Sequence, residues 1–212
     1  MIKKYSVAVC LLLSALLLVV AASQYPGGSL FDKHSEGFQW SKNFLSNLFQ
    51  PVAFNGLPNP GRIWALWGMA FHSVGYGLFF IHSAAKLVTK GWSVALRYIG
   101  FANIVFIFLL ATPYHDVGTI SIVLTLMGLF VITVFVFPTK QPALITLCVV
   151  CLVCYYAFFL AYGLGYLPWA MILQKVYVAV SLITVVCLEY FFQKNNLAAT
   201  VVSSQKTVVR KS

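Results

Sequence analysis

Asp32, His34 and Glu36 stand within five residues of one another in the stretch "YPGGSLFDKHSEGFQWSKNFLSNLFQPVAFNGLPNPGR" (25–62). The other residues of this kind are scattered: His72, His82, the dipeptide His115-Asp116, Lys175 and Glu189. Imidazole together with carboxylate is the ligand set of a borderline divalent metal, and a metal-bound water attacks ester or amide carbonyls near neutral pH. Without a metal, the same groups accept and deliver protons. The spacing does not single out either chemistry, because neither HxxxH nor HExxH occurs and neighbouring residues such as His115 and Asp116 point in different directions. A divalent ion is the cofactor this set would imply, with His72, His115 and Asp116 as its ligands. That reading requires the fold to bring them together.

The elements that must do so are apolar. Of 212 residues 61% are hydrophobic and 8% charged, whereas a water-soluble domain carries about a quarter charged residues. A bilayer core about 30 Å thick takes about 20 apolar residues per helix, and six windows qualify: 5–22, 63–84, 95–112, 119–137, 143–164 and 170–192. They are continuously apolar and lack the alternation of barrel strands. The expected fold is therefore all-α, a polytopic bundle of six transmembrane helices in one domain, 1–192, followed by a flexible basic tail, 193–212. The first window follows Lys3 and Lys4 and ends in "VAAS", as a signal peptide does, but it exceeds the usual 7 to 15 residues of such a core, so it is expected to stay as a helix. Cys10, Cys148, Cys151, Cys154 and Cys187 all fall in these windows. The three thiols of "CVVCLVC" share an arc of about 120° on one helix, and burial in lipid keeps a thiol inert, so ordinary packing is expected.

The formal net charge of +10 marks topology and not nucleic acid. Lys3, Lys4, Lys86, Lys90, Arg97, Lys140, Lys194, Lys206, Arg210 and Lys211 fall on one side of a six-span path, against Lys33, Lys42 and Arg62 in the opposite loops. Lys and Arg concentrate in cytoplasmic loops. Both termini are thus expected in the cytoplasm, the 24–62 connection outside, and the protein in a cell membrane with the lipid bilayer as its constant partner. The tail ends basic, as a segment lying near anionic headgroups does.

Within that connection "YPGGS" and "NGLPNPGR" are turn-forming. Between them Phe38–Gln50 sorts into an apolar half (Phe38, Trp40, Phe44, Leu45, Leu48, Phe49) and a polar half that includes Asn43. This predicts a short interfacial helix, a lid over the bundle mouth. The depth of the polar residues follows from a rise of 1.5 Å per residue. His72 is about 14 Å into its window, near the midplane, with Tyr76 one turn further on the same face. A neutral imidazole there has a donor and an acceptor to satisfy, and Tyr76 or Asn103 is the expected partner. Lys175 is about 8 Å deep; it either snorkels outward or pairs with Asp116, Asp32 or Glu36. Asp116 precedes an apolar run as an N-cap does, and Pro113 is expected to end the third helix. His82 is expected to reach the inner interface, and Glu189 to be neutralised by Lys194. The candidates for ligand binding are Asp32, Glu36, Asn43, His72, Tyr76, His115, Asp116 and Lys175.

"YPGGSLFDKHSEGFQWSKNFLSNL" with the following "NGLPNPGR" resembles the start of domain-of-unknown-function family 998, small bacterial and archaeal membrane proteins. The resemblance implies a first helix, a Tyr-Pro-Gly turn, an aromatic stretch, an Asn-Pro turn and five further helices in a plasma membrane, and it leaves function open. "PYHDVG" occupies the place where such proteins carry acidic and His residues after their third helix. A more distant resemblance is to multi-span hydrolases related to alkaline ceramidases, which hold zinc by three His; here the supply would be His72, His82 and His115, but His82 lies about 280° around the helix from His72. The leading expectation is a lipid or small amphiphile bound in an extracytoplasmic-facing polar pocket. A metal-dependent membrane hydrolase acting on lipid is the alternative, and a small transporter or channel a third, though no internal repeat supports it.

Overall fold

The computed structural model describes residues 2–192; the basic tail, Lys194 included, lies outside the described residues. Six helical segments are long and apolar enough to cross a membrane, as their composition dictates. They are α1 (Ile2–Ser23), α2 (Arg62–Lys86), α3 (Lys90–Leu109), a fourth span made of the short α4 (His115–Gly118) and α5 (Ile120–Val136), α6 (Pro142–Gly163) and α7 (Leu167–Phe191). Among the described residues there is no strand, only the isolated bridges Gly27–Glu36 and Val52–Pro58. The protein is a multi-pass membrane helix bundle.

Each span packs on the next along the chain, and α7 returns to touch α1 and α2. The Tyr5 and Tyr190 rings lie 5.9 Å apart, so the start of α1 and the end of α7 share the end of the bundle opposite the 24–61 connection. Exposed Trp64, Trp67, Tyr114, Tyr162, Tyr166 and Trp169 ring the lid end, and Tyr5, Trp92 and Tyr98 the far end, the two aromatic belts expected at membrane interfaces. The α2–α3 crossing is made by two glycines. A Cβ at Gly100 would stand 2.7 Å from the Gly77 carbonyl oxygen, and one at Gly77 would stand 2.9 Å from that of Gly100. Small residues are what let backbones approach where lipid offers no hydrophobic drive.

The 24–61 connection folds over one end as a lid, but the helix expected over Phe38–Gln50 is shorter. Gln39–Asn43 makes a single turn, Phe44 is extended, and only Leu45–Phe49 is helical, as a 3-10 turn. The asparagines are the cause. Gln39 N donates to Asn43 Oδ1 (3.0 Å) and Phe44 N to Asn47 Oδ1 (2.7 Å), so side chains take the amides at the point where a continuous helix would have to propagate. Asn43 is fully buried and donates to the Gly28 carbonyl at 2.9 Å. Phe38, Leu48 and Phe49 pack on Ala21, Ala22 and Ala65 at the ends of α1 and α2. Tyr25 is buried beneath, accepting from Phe54 N at 3.3 Å. Burial raises its phenol pKa, partly offset by that amide. Trp40, expected on the apolar side, is half exposed and stands edge-on against Phe38.

The core is divided. In the far half one cluster runs from Phe79 and Phe80 through Leu129, Ile132, Val136, Cys148 and Cys151 to Val185 and Leu188. In the lid half two smaller clusters stand apart, one under the lid and one of Phe158, Ala161 and Ala170 between α6 and α7. All five cysteines are free.

Candidate functional site

Between the two lid-half clusters lies a cavity of about 470 Å³, roofed by Phe44, Leu45, Ser46 and Phe49 of the lid and walled by α2, α3, α4–α5, α6 and α7. Its volume falls among small-molecule sites, about 300–1,000 Å³. The exposed lining residues are His115, Thr119, Ile120 and Val123 on one side and Tyr162 on the other. The cavity therefore opens between α4–α5 and α6, on the membrane-facing flank of the bundle.

The floor is polar because α2, α5, α6 and α7 carry hydroxyls inward there. The Tyr76 hydroxyl stands 2.6 Å from Ser181 Oγ, and Ser181 donates to the Val178 carbonyl at 3.0 Å, so Tyr76 donates to Ser181. The His72 ring stacks on Tyr76 with centroids 4.6 Å apart, and His72 Nδ1 is 3.4 Å from Ser14 Oγ on α1. Tyr177 lies 4.5 Å from the Tyr155 ring and 4.8 Å from Phe158, centroid to centroid. Asn103, expected near His72, instead donates to Thr125 at 3.0 Å, leaving its own Oδ1 buried without a partner.

The sequence candidates divide between this cavity and its surroundings. His72, Tyr76 and His115 line it. Asn43 braces the lid above it. Lys175 neither snorkels nor pairs with a carboxylate: its ammonium donates to the carbonyls of Asn43 and Met171, tying α7 to the lid, while neighbouring Gln174 accepts from Leu45 N at 2.7 Å. Asp32 closes a turn on the lid's outer surface, its Oδ1 accepting from His34 N at 2.9 Å, and Glu36 is exposed beside it. Asp116 caps nothing. α4 already begins at His115 with Tyr114 in the cap position, and the Asp116 side chain is fully exposed, 3.7 Å from His115 Nδ1. α3 ends at Leu109, four residues before Pro113, the position whose carbonyl a proline ring would strike. His72, His115 and Asp116 do not converge: among the described residues no three His, Cys, Asp or Glu side chains group closely enough to hold a metal ion.

A second polar cluster sits at the far end. Glu189 on α7 meets His82 Nδ1 at 2.6 Å and Lys86 Nζ at 3.4 Å, and Lys86 also donates to the Glu189 carbonyl at 2.6 Å. Glu189 is thus neutralised from α2, one turn apart on the same face. Sequence reasoning passed over Tyr155, Gln174, Tyr177 and Ser181. The signal was present in part: Gln174, Tyr177, Ser181 and Thr184 recur at three- and four-residue spacing on α7, a polar stripe that faces the bundle. No family model, curated protein or solved structure matches the chain.

Proposed function

We propose that the protein binds a lipid or small amphiphile in the cavity beneath its lid, with the lid on the extracytoplasmic side of a bacterial or archaeal plasma membrane. One observation carries the reading: an aromatic and aliphatic chamber with a hydroxyl-rich floor, open to the membrane flank and roofed from water by the lid. An apolar chain enters such an opening from the bilayer without crossing water, and the floor receives the polar end. The first connection's likeness to domain-of-unknown-function family 998 is part of the same proposal. The hydrolase alternative finds less support, because three ligands do not converge.

Val178 lines the cavity beside Ser181, so Val178→Trp fills it from within one helix. Native mass spectrometry of detergent-purified protein should show a retained amphiphile on wild type and none on Val178→Trp, with both equally helical by circular dichroism. Equal retention by the two proteins would refute binding in this cavity.

A further inference from the structure

The chemistry of the floor specifies what kind of head group fits, a conclusion that rests on the cavity being the binding site. Among the described residues no Asp, Glu, Lys or Arg lines the cavity. Lys175, adjacent to the lining residue Gln174 and one turn from Val178 on α7, is committed to the carbonyls of Asn43 and Met171, and His115 is confined to the half-exposed rim. A phosphate or carboxylate drawn to the floor would lose its hydration and meet no fixed opposite charge, one of the most costly events in a low-dielectric site. An ammonium group would fare the same way.

What the floor offers instead is hydrogen-bond donors. Ser14 is buried with its Oγ 3.4 Å from His72 Nδ1, a contact that leaves Nε2 to the cavity and, where the serine is the donor, leaves the imidazole proton on Nε2. His72 Nε2 and the Tyr177 hydroxyl have no partner among the described residues, and neither is sealed in protein, because both residues line the cavity. The Tyr76 hydroxyl is already spent on Ser181. The Tyr177 hydroxyl, with His72 Nε2, thus offers hydrogen bonds to an acceptor-bearing head inside a chamber whose walls are largely aromatic. We infer that the site selects an uncharged amphiphile whose head presents carbonyl oxygens, in preference to a phospholipid. An ester-bearing diacylglycerol and a membrane quinone both carry that chemistry.

The test uses the full-length protein in detergent with three probes of matched chain length read by native mass spectrometry: dioctanoylglycerol, decylubiquinone and dioctanoyl phosphatidic acid. At least one uncharged probe should bind about tenfold or more tightly than phosphatidic acid. Tyr177→Phe and His72→Phe should each weaken that probe by about tenfold, the loss of one hydrogen bond in a dry site. Tyr177→Phe keeps the ring that packs on Tyr155 and Phe158, so an unchanged melting temperature separates lost recognition from lost fold. Binding of the glycerolipid alone, the quinone alone, or both identifies the source and supports the inference. Phosphatidic acid binding equally or better overturns the head-group assignment and leaves amphiphile binding standing. Uncharged-probe binding that neither variant weakens also overturns it, and the absence of binding by all three removes both readings.

Discussion

Asn43 holds more of the lid together than any charged residue in it. Its amide accepts from Gln39 N, donates to the Gly28 carbonyl, and its own carbonyl receives the Lys175 ammonium. Asn43→Ala strands the part-buried Gln39 amide proton and the buried Gly28 carbonyl, at about 1–2 kcal/mol each. The variant should lose about 2–4 kcal/mol in thermal unfolding in detergent, whereas Glu36→Gln, on an exposed side chain, should stay within about 0.5 kcal/mol. Similar melting temperatures would refute the account of the lid. This contrast also marks what the sequence could convey. Titratable residues drew attention to Asp32, Glu36 and Asp116, all of which turn outward. His72 was legible because an imidazole at the membrane midplane needs a partner. Ser14, which supplies that partner from 58 residues away, was not, since a serine in an apolar helix is unremarkable until its neighbour is known.

Among the elements, the six spans were legible because length and hydropathy alone decide whether a helix fits a bilayer; the lid was harder. Phe38–Gln50 has a clean amphipathic pattern, yet Asn43 and Asn47 sit where their side chains outcompete the helical hydrogen bonds, so local chemistry overrode periodicity. Glu189 illustrates a different limit: the expected partner, Lys194, is near in sequence and lies outside the described residues, whereas α7 returns to α2 and brings His82 and Lys86 against the carboxylate. The α2–α3 crossing gives a direct check on the packing. Gly100→Ala places a methyl 2.7 Å from a backbone carbonyl, which the helices relieve only by separating, at about 1–3 kcal/mol. Gly91→Ala, at the start of the same helix with nothing within 4 Å, should be neutral or stabilising by up to about 1 kcal/mol. Melting curves of the two variants measured side by side decide the matter, and equal effects would contradict a glycine-dependent crossing.

At the scale of the whole molecule, the distribution of charge bears on which leaflet faces the cavity. The lid end carries Lys33, Lys42, Arg62 and Lys175, but two of these are internal fastenings: Lys175 binds lid and α7 carbonyls, and Arg62 Nε donates to the Phe49 carbonyl at 3.0 Å. Asp32, Glu36 and Asp116 offset what remains. The far end has Lys86, Lys90, Arg97 and Lys140 in or near its short connections, with Lys3 and Lys4 leading into α1. The rule that places Lys and Arg in the cytoplasm counts residues near the ends of spans in short loops, and on that count we propose that the far end is cytoplasmic. A phosphatase reporter inserted at Gly56, an exposed loop glycine with a φ of 85° and nothing within 4 Å of a Cβ, should be active outside the cell. A fluorescent protein fused after Ser212 should fold and shine inside. That pattern would set the cavity mouth, between α4–α5 and α6 near the lid, at the outer leaflet, from which the proposed amphiphile would reach it. The reverse pattern of reporters would invert the molecule and move the same cavity to the inner leaflet, leaving its lining chemistry intact but changing which lipids it meets.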